Sequence, residues 1–103
     1  MRYRAEVTVR CPDGAAIALG GLASSSPRRA VGWVRRRAVH LAQQLGAPYE
    51  GGVRAWLEGA GEFGGAVDAL AGGSAVALTV VDGEGCAYAL VARPVVAALE
   101  VAA

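Results

Sequence analysis

At 103 residues the chain is long enough for one domain that buries roughly two-thirds of its unfolded surface, and a single core follows. Hydrophobic residues make up 54% of it, but Ala and Val supply much of that share beside six aromatics, Tyr3, Trp33, Tyr49, Trp56, Phe63 and Tyr88, so the core is expected to be thin; every basic residue is arginine, which excludes lysine-based catalysis. The formal net charge of +1 hides an asymmetry, because up to Pro48 eight arginines stand against Glu6 and Asp13 (+6), whereas from Tyr49 onward Arg54 and Arg93 stand against seven acids (−5).

From Tyr3 to Cys11 apolar and polar residues alternate, with Tyr3, Ala5, Val7, Val9 and Cys11 on one side and Arg4, Glu6, Thr8 and Arg10 on the other, the pattern of a half-buried strand. Pro12-Asp13-Gly14 is a turn, and Ala15 to Leu22 returns as a second strand that Gly20-Gly21 is expected to bend or end. Ser26 followed by Pro27 starts a helix, since the serine can cap free amides and proline needs no donor at the first position. That helix is expected to run to Leu45, with Gly46 as its left-handed terminator and Pro48 preventing resumption. Val53 to Glu58 alternates weakly and reads as a short strand or a helical turn. Phe63, Val67 and Leu70 at helical spacing predict a short second helix, weakened by Gly64 and Gly65. Ser74 to Val81, Asp82-Gly83-Glu84-Gly85 and Cys86 to Arg93 predict a hairpin, after which Pro94 breaks the ladder and Val95 to Val101 can supply a last strand. The sum is an α+β two-layer sandwich, an antiparallel sheet of four to six strands covered on one face by one long and one short helix, as a single domain over residues 1–103.

Catalytic, metal and cofactor chemistry finds little footing. His40 is the only histidine and lies on the polar face of the long helix; Glu58 and Glu62 sit in a Gly-rich stretch and read as solvent-facing; no Gly-rich segment is followed by the Lys-Ser/Thr pair of a phosphate loop. No catalytic residue, cofactor or metal ligand is therefore assigned. Cys11 and Cys86 are too few for a disulfide scaffold or a zinc centre, so free, partly buried thiols are expected; the alternative, a pair formed across neighbouring strands, is set against by Cys11 ending one strand and Cys86 leaving a turn. Arg2 and Arg4 alternate with apolar residues as in a strand, not a signal peptide, and no apolar run approaches the ~20 residues of a membrane span, which points to a cytoplasmic protein without a membrane partner.

The most informative feature is the long helix. Ala30, Val31, Val34, Ala38, Leu41, Ala42 and Leu45 fall within one arc, the core face, while Arg28, Arg29, Arg35, Arg36, Arg37, His40, Gln43 and Gln44 oppose them, joined by two apolar residues, Trp33 and Val39. Guanidinium groups suit carboxylates or phosphates, and Trp33, one turn from Arg29 and from Arg37, can stack or take part in a cation–π contact. The alternative is structural, with Trp33 packed beneath a loop and the arginines paired to the acidic second half. The expected function is a non-enzymatic binding module that engages a protein partner, or a second copy of itself, through Arg29, Trp33, Arg36, Arg37 and His40; a nucleic-acid-binding accessory or regulatory protein using the same face is the alternative. In outline, the N-terminal hairpin followed by a Ser-capped amphipathic helix ending at Leu45 resembles small HicB-type antitoxins; that resemblance covers less than half the chain and implies no site residue.

Overall fold

The computed structural model describes residues 1–95. Its elements in chain order are β1 (Arg2–Arg10), β2 (Ala16–Ser24), α1 (Pro27–Leu45), α2 (Tyr49–Glu58), α3 (Phe63–Ala71), β3 (Val76–Val81) and β4 (Ala87–Val95). The strands form one antiparallel sheet in the order β2-β1-β4-β3, and the helices pack against it. The α+β class and the four strands agree with the sequence pattern. The helical layer does not: it holds three helices, not one long and one short, because the segment around Val53 to Glu58 is helical. Pro48 does not prevent resumption either, since it occupies the N-cap position of α2, where a missing amide donor costs nothing.

The alternation in β1 sets the two faces of the sheet. Tyr3, Ala5, Val7 and Val9 are buried toward the helices, opposite Leu90 and Ala92 of β4, while Arg2, Arg4 and Arg10 are exposed. Of the two outcomes expected at Gly20-Gly21 the strand does not end there, since β2 continues to Ser24, but its pairing is irregular at that point, opposite Val7 and Thr8. Gly20 has φ +150°, and a Cβ there would lie 3.6 Å from the Trp33 ring and 3.2 Å from the Arg37 guanidinium, so the strand passes close beneath α1 only as glycine. β4 also runs through Pro94, which pairs with Tyr3; β3 starts opposite Ala92, so at Pro94 the strand has a neighbour on one side only, as proline requires. The strand expected to end at Val101 lies beyond the described residues, apart from Val95 itself.

α1 begins where the sequence places it. The Ser26 hydroxyl accepts from the Arg29 amide at 3.2 Å, Pro27 is the first helical residue, and Gly46, at φ +70°, ends the helix by donating to Ala42. Its buried residues are Ala30, Val31, Val34, Ala38, Leu41 and Ala42, the arc derived from the spacing. α3 is capped by a carboxylate: Glu62 accepts from the Gly64 and Gly65 amides, and the Gly65 bond first, then that from Gly64, holds its pKa below the usual glutamate value. The core joins these helices to the sheet through small side chains, with Leu70 and Leu90 the largest of those fully enclosed.

Both edges of the sheet are touched by a helix side chain. Arg37 donates to the Leu19 carbonyl of β2 at 2.8 Å, and the Trp56 indole donates to the Ala77 carbonyl of β3 at 3.0 Å. In the β3–β4 turn, Asp82 accepts from the Cys86 and Glu84 amides and from the Tyr88 hydroxyl, and the Cys86 amide above all lowers its pKa. Because its folded value is depressed, the stability Asp82 contributes is present above the ordinary aspartate pKa and is lost as pH falls through the lower folded one.

The thiols are not free. Cys11 and Cys86 extend the Arg10–Ala87 pairing by one position, bringing their Cα atoms to 4.1 Å, and they form a disulfide that spans 75 residues of sequence. Closing a loop of that length restricts the unfolded chain by about 4 kcal/mol in the chain-entropy description. Reduction with dithiothreitol, or the double substitution Cys11→Ser with Cys86→Ser, is expected to lower unfolding stability by about 2–4 kcal/mol in urea titrations; an unchanged midpoint would show that the cross-link restrains nothing.

Candidate binding groove along the long helix

The arginines of α1 divide into those that hold the fold and those that do not. Arg35 donates from one nitrogen to the carbonyls of Leu57, at 3.1 Å, and Gly61, clamping the connection between α2 and α3. Arg37 lies over the Trp33 ring at 5.2 Å from its centroid and reaches the β2 carbonyl already described. Arg28 lies over the Phe63 ring at 4.9 Å. Arg29 and Arg36 are exposed.

Among the described residues no ion pair joins the arginines of α1 to the acidic second half, although beside the Gly65 and Gly64 amides Arg35 is near enough to Glu62 to help lower its pKa. Among the described residues the ion pairs are Arg4–Glu6, Arg93–Glu6 and Glu50–Arg54, and none involves α1. The structural alternative for the helix is not met as expected: the Trp33 indole is half-buried against strand β2 at Gly20 and not beneath a loop, and Arg28, Arg35 and Arg37 find carbonyls or rings instead of carboxylates. The first turn of α1 also contains no acid to complement the positive end of the helix dipole; Arg28 and Arg29 stand there and raise the potential further.

These residues line a groove of about 360 Å³. Trp33 and Leu22 form one wall, Phe63 the other, Gly32 the floor, and Arg28, Arg29 and Arg36 contribute cationic groups. A Cβ at Gly32 would meet the Arg36 guanidinium at 3.5 Å and the Phe63 ring at 3.9 Å, both ordinary contacts, so a side chain there starts between the two and extends into the space they border. Two aromatic walls and three guanidinium groups can grip a carboxylate or phosphate from several directions while covering apolar surface beside it.

Of the residues singled out from sequence, Arg29, Trp33 and Arg36 come together here. Arg37 and His40 do not join them at this point: they border a smaller cleft of about 140 Å³ with Leu19 and Leu41 on the β2 side of α1, and His40 also borders the next stretch of surface beyond Arg36. Phe63 was missed as a wall because its helical spacing with Val67 and Leu70 marked it as core, and it is only partly buried. Comparison with protein families, with curated proteins and with solved structures finds no match to this chain.

The division among the arginines is testable by stability alone. Arg35→Ala is expected to cost about 1–3 kcal/mol, because two carbonyls lose their shared donor, while Arg36→Ala should stay within about 0.5 kcal/mol. Equal urea midpoints for the two variants would show that Arg35 does not brace the α2–α3 connection.

Proposed function

We propose that this chain is a non-enzymatic binding module that recognises an acidic segment of a protein partner through the groove bordered by Arg28, Arg29 and Arg36 between Trp33 and Phe63. The observation that carries this reading is the absence of any carboxylate paired to α1 among the described residues, although Arg28, Arg29 and Arg36 gather around one concave surface. Arg28 and Arg29, in the first turn at the positive end of α1, are unfavourable there in the isolated domain, and together with Arg36 two turns further along they become favourable when an anion arrives. Trp33 and Phe63 add apolar area that a polyanion alone does not use, which favours a protein segment over bare phosphate. A single-stranded nucleic acid, stacked on the same rings, is the second reading. As to setting, no helix among the described residues is long and apolar enough to cross a membrane, and the Cys11–Cys86 disulfide weighs toward an oxidising compartment over the cytoplasm expected from sequence.

A fluorescein-labelled oligoglutamate peptide, followed by anisotropy across a salt series, tests this. Binding is expected to fall at least about fivefold in Arg36→Ala and equally in Gly32→Leu, which fills the floor, keeps every charge and suits a helix better than glycine. Loss in Arg36→Ala with full binding in Gly32→Leu would mean diffuse attraction instead of a groove. Tighter binding of an oligothymidylate, with a steep salt dependence, would transfer the function to nucleic acid.

A further inference from the structure

The groove continues past the arginines. Gly32, Arg36, Val39 and Gln43 are spaced by four, three and four residues, which on an α-helix is a straight line along the axis. Beyond Phe63 this line is flanked by Leu57, with Arg35, Arg36, Val39 and His40 bordering about 280 Å³. Beyond that, α2 supplies Val53 and Leu57 against Val39 and Ala42 of α1, around a further 300 Å³ or so. Arg36 belongs to the first and second stretches, Val39 and Leu57 to the second and third, so the three adjoin one another along α1 as a shallow, open channel.

Its two ends differ in chemistry. The end at the start of α1 is cationic and aromatic. The end near Gly46 is apolar at its base, and the charges at its rim, Glu50 and Arg54, pair with each other at 2.6 Å and leave little net field. Val39, one of the two apolar residues that the sequence placed off the core stripe, is 39% exposed and lies where the channel turns apolar. From Arg29 to Gln43 the line covers fourteen residue steps, about 21 Å at the rise of a helix.

We infer that this channel docks one amphipathic α-helical segment of another protein, its carboxylates over Arg28, Arg29 and Arg36 and its aliphatic side chains seated between Val39 and Leu57. Charge complementarity chooses the acidic end, and the satisfied backbone of the walls chooses the helix. An extended segment lying along the middle turns of α1 and α2 would meet backbone groups already bonded within those helices and would leave most of its own unpaired, whereas a helix satisfies them internally. The inference rests on the arginine groove as an anion-recognising surface and adds the form of its occupant and an apolar anchor.

Two labelled synthetic peptides of sixteen residues separate these parts. One carries glutamates along one half and leucines at i and i+4 on a face of the other half; its control has serine for each leucine. The leucine peptide is expected to bind the native protein about tenfold or more tightly than the control and to gain helical circular dichroism on binding. Val39→Ser, which alters no charge at an exposed helix position, should abolish that advantage and leave the control peptide's affinity within about twofold, while Val39→Thr, closer in shape to valine, should remove less of it. Equal affinities of the two peptides for the native protein, or an advantage that survives Val39→Ser, overturn the helical anchor while acidic recognition stands. If neither peptide binds, the anion-recognising reading falls with it.

Discussion

Alanine and valine dominate the seam between α1 and the sheet, with Ala30, Val31, Val34 and Ala38 enclosed against Ala5, Val7, Leu90 and Ala92. Side chains this small let the helix lie close to the strands and fix its rotation, because turning α1 would replace them with arginines that cannot be buried. Everything outward follows from that setting. Gly32, Arg36, Val39 and Gln43 face away from the sheet, and α2 and α3, held by Val53, Ala66 and Leu70, rise along one flank of α1 to make the second wall of a channel.

The same geometry sorts seemingly equivalent arginines. Arg35 points to the flank where α2 joins α3 and becomes a brace between two carbonyls, while Arg37, on the other flank, touches the sheet edge. Arg28, Arg29 and Arg36 border the concave surface. Coulomb energy among such exposed groups is modest in water, but it accumulates where a low-dielectric wall such as Trp33 or Phe63 excludes solvent. An anion entering the groove therefore gains more from these groups than it would from the same charges scattered over a flat surface.

Much of the fold was legible in local chemistry. The alternation from Tyr3 to Cys11, the Ser26-Pro27 start, the Gly46 stop and the Asp82–Gly85 turn are short-range signals, and each element lies close to where they place it. α2 was ambiguous because Val53 and Leu57 satisfy both a two-residue and a 3.6-residue period over so short a span, and the structure settles it through contact with α1. Free thiols were preferred to a Cys11–Cys86 pair because that pair depends on β1 lying beside β4, a neighbour relation that spans the chain and leaves no local trace. At the site, Arg29, Trp33 and Arg36 could be read from one helical face. The opposite wall could not, since Phe63 reaches it only through the docking of α3 on α1, and the distinct work of Arg35 and Arg37 depends on carbonyls supplied by other elements.

The most direct measurement is a residue-by-residue map of amide chemical-shift changes in ¹⁵N-labelled protein as an oligoglutamate peptide is added. Shifts concentrated from Arg28 to Arg36 and around Phe63, with the open face of the sheet silent, are the expected result. Shifts spread over every arginine, Arg2, Arg10 and Arg93 included, or no shifts at all, would contradict the groove as the binding surface of this protein.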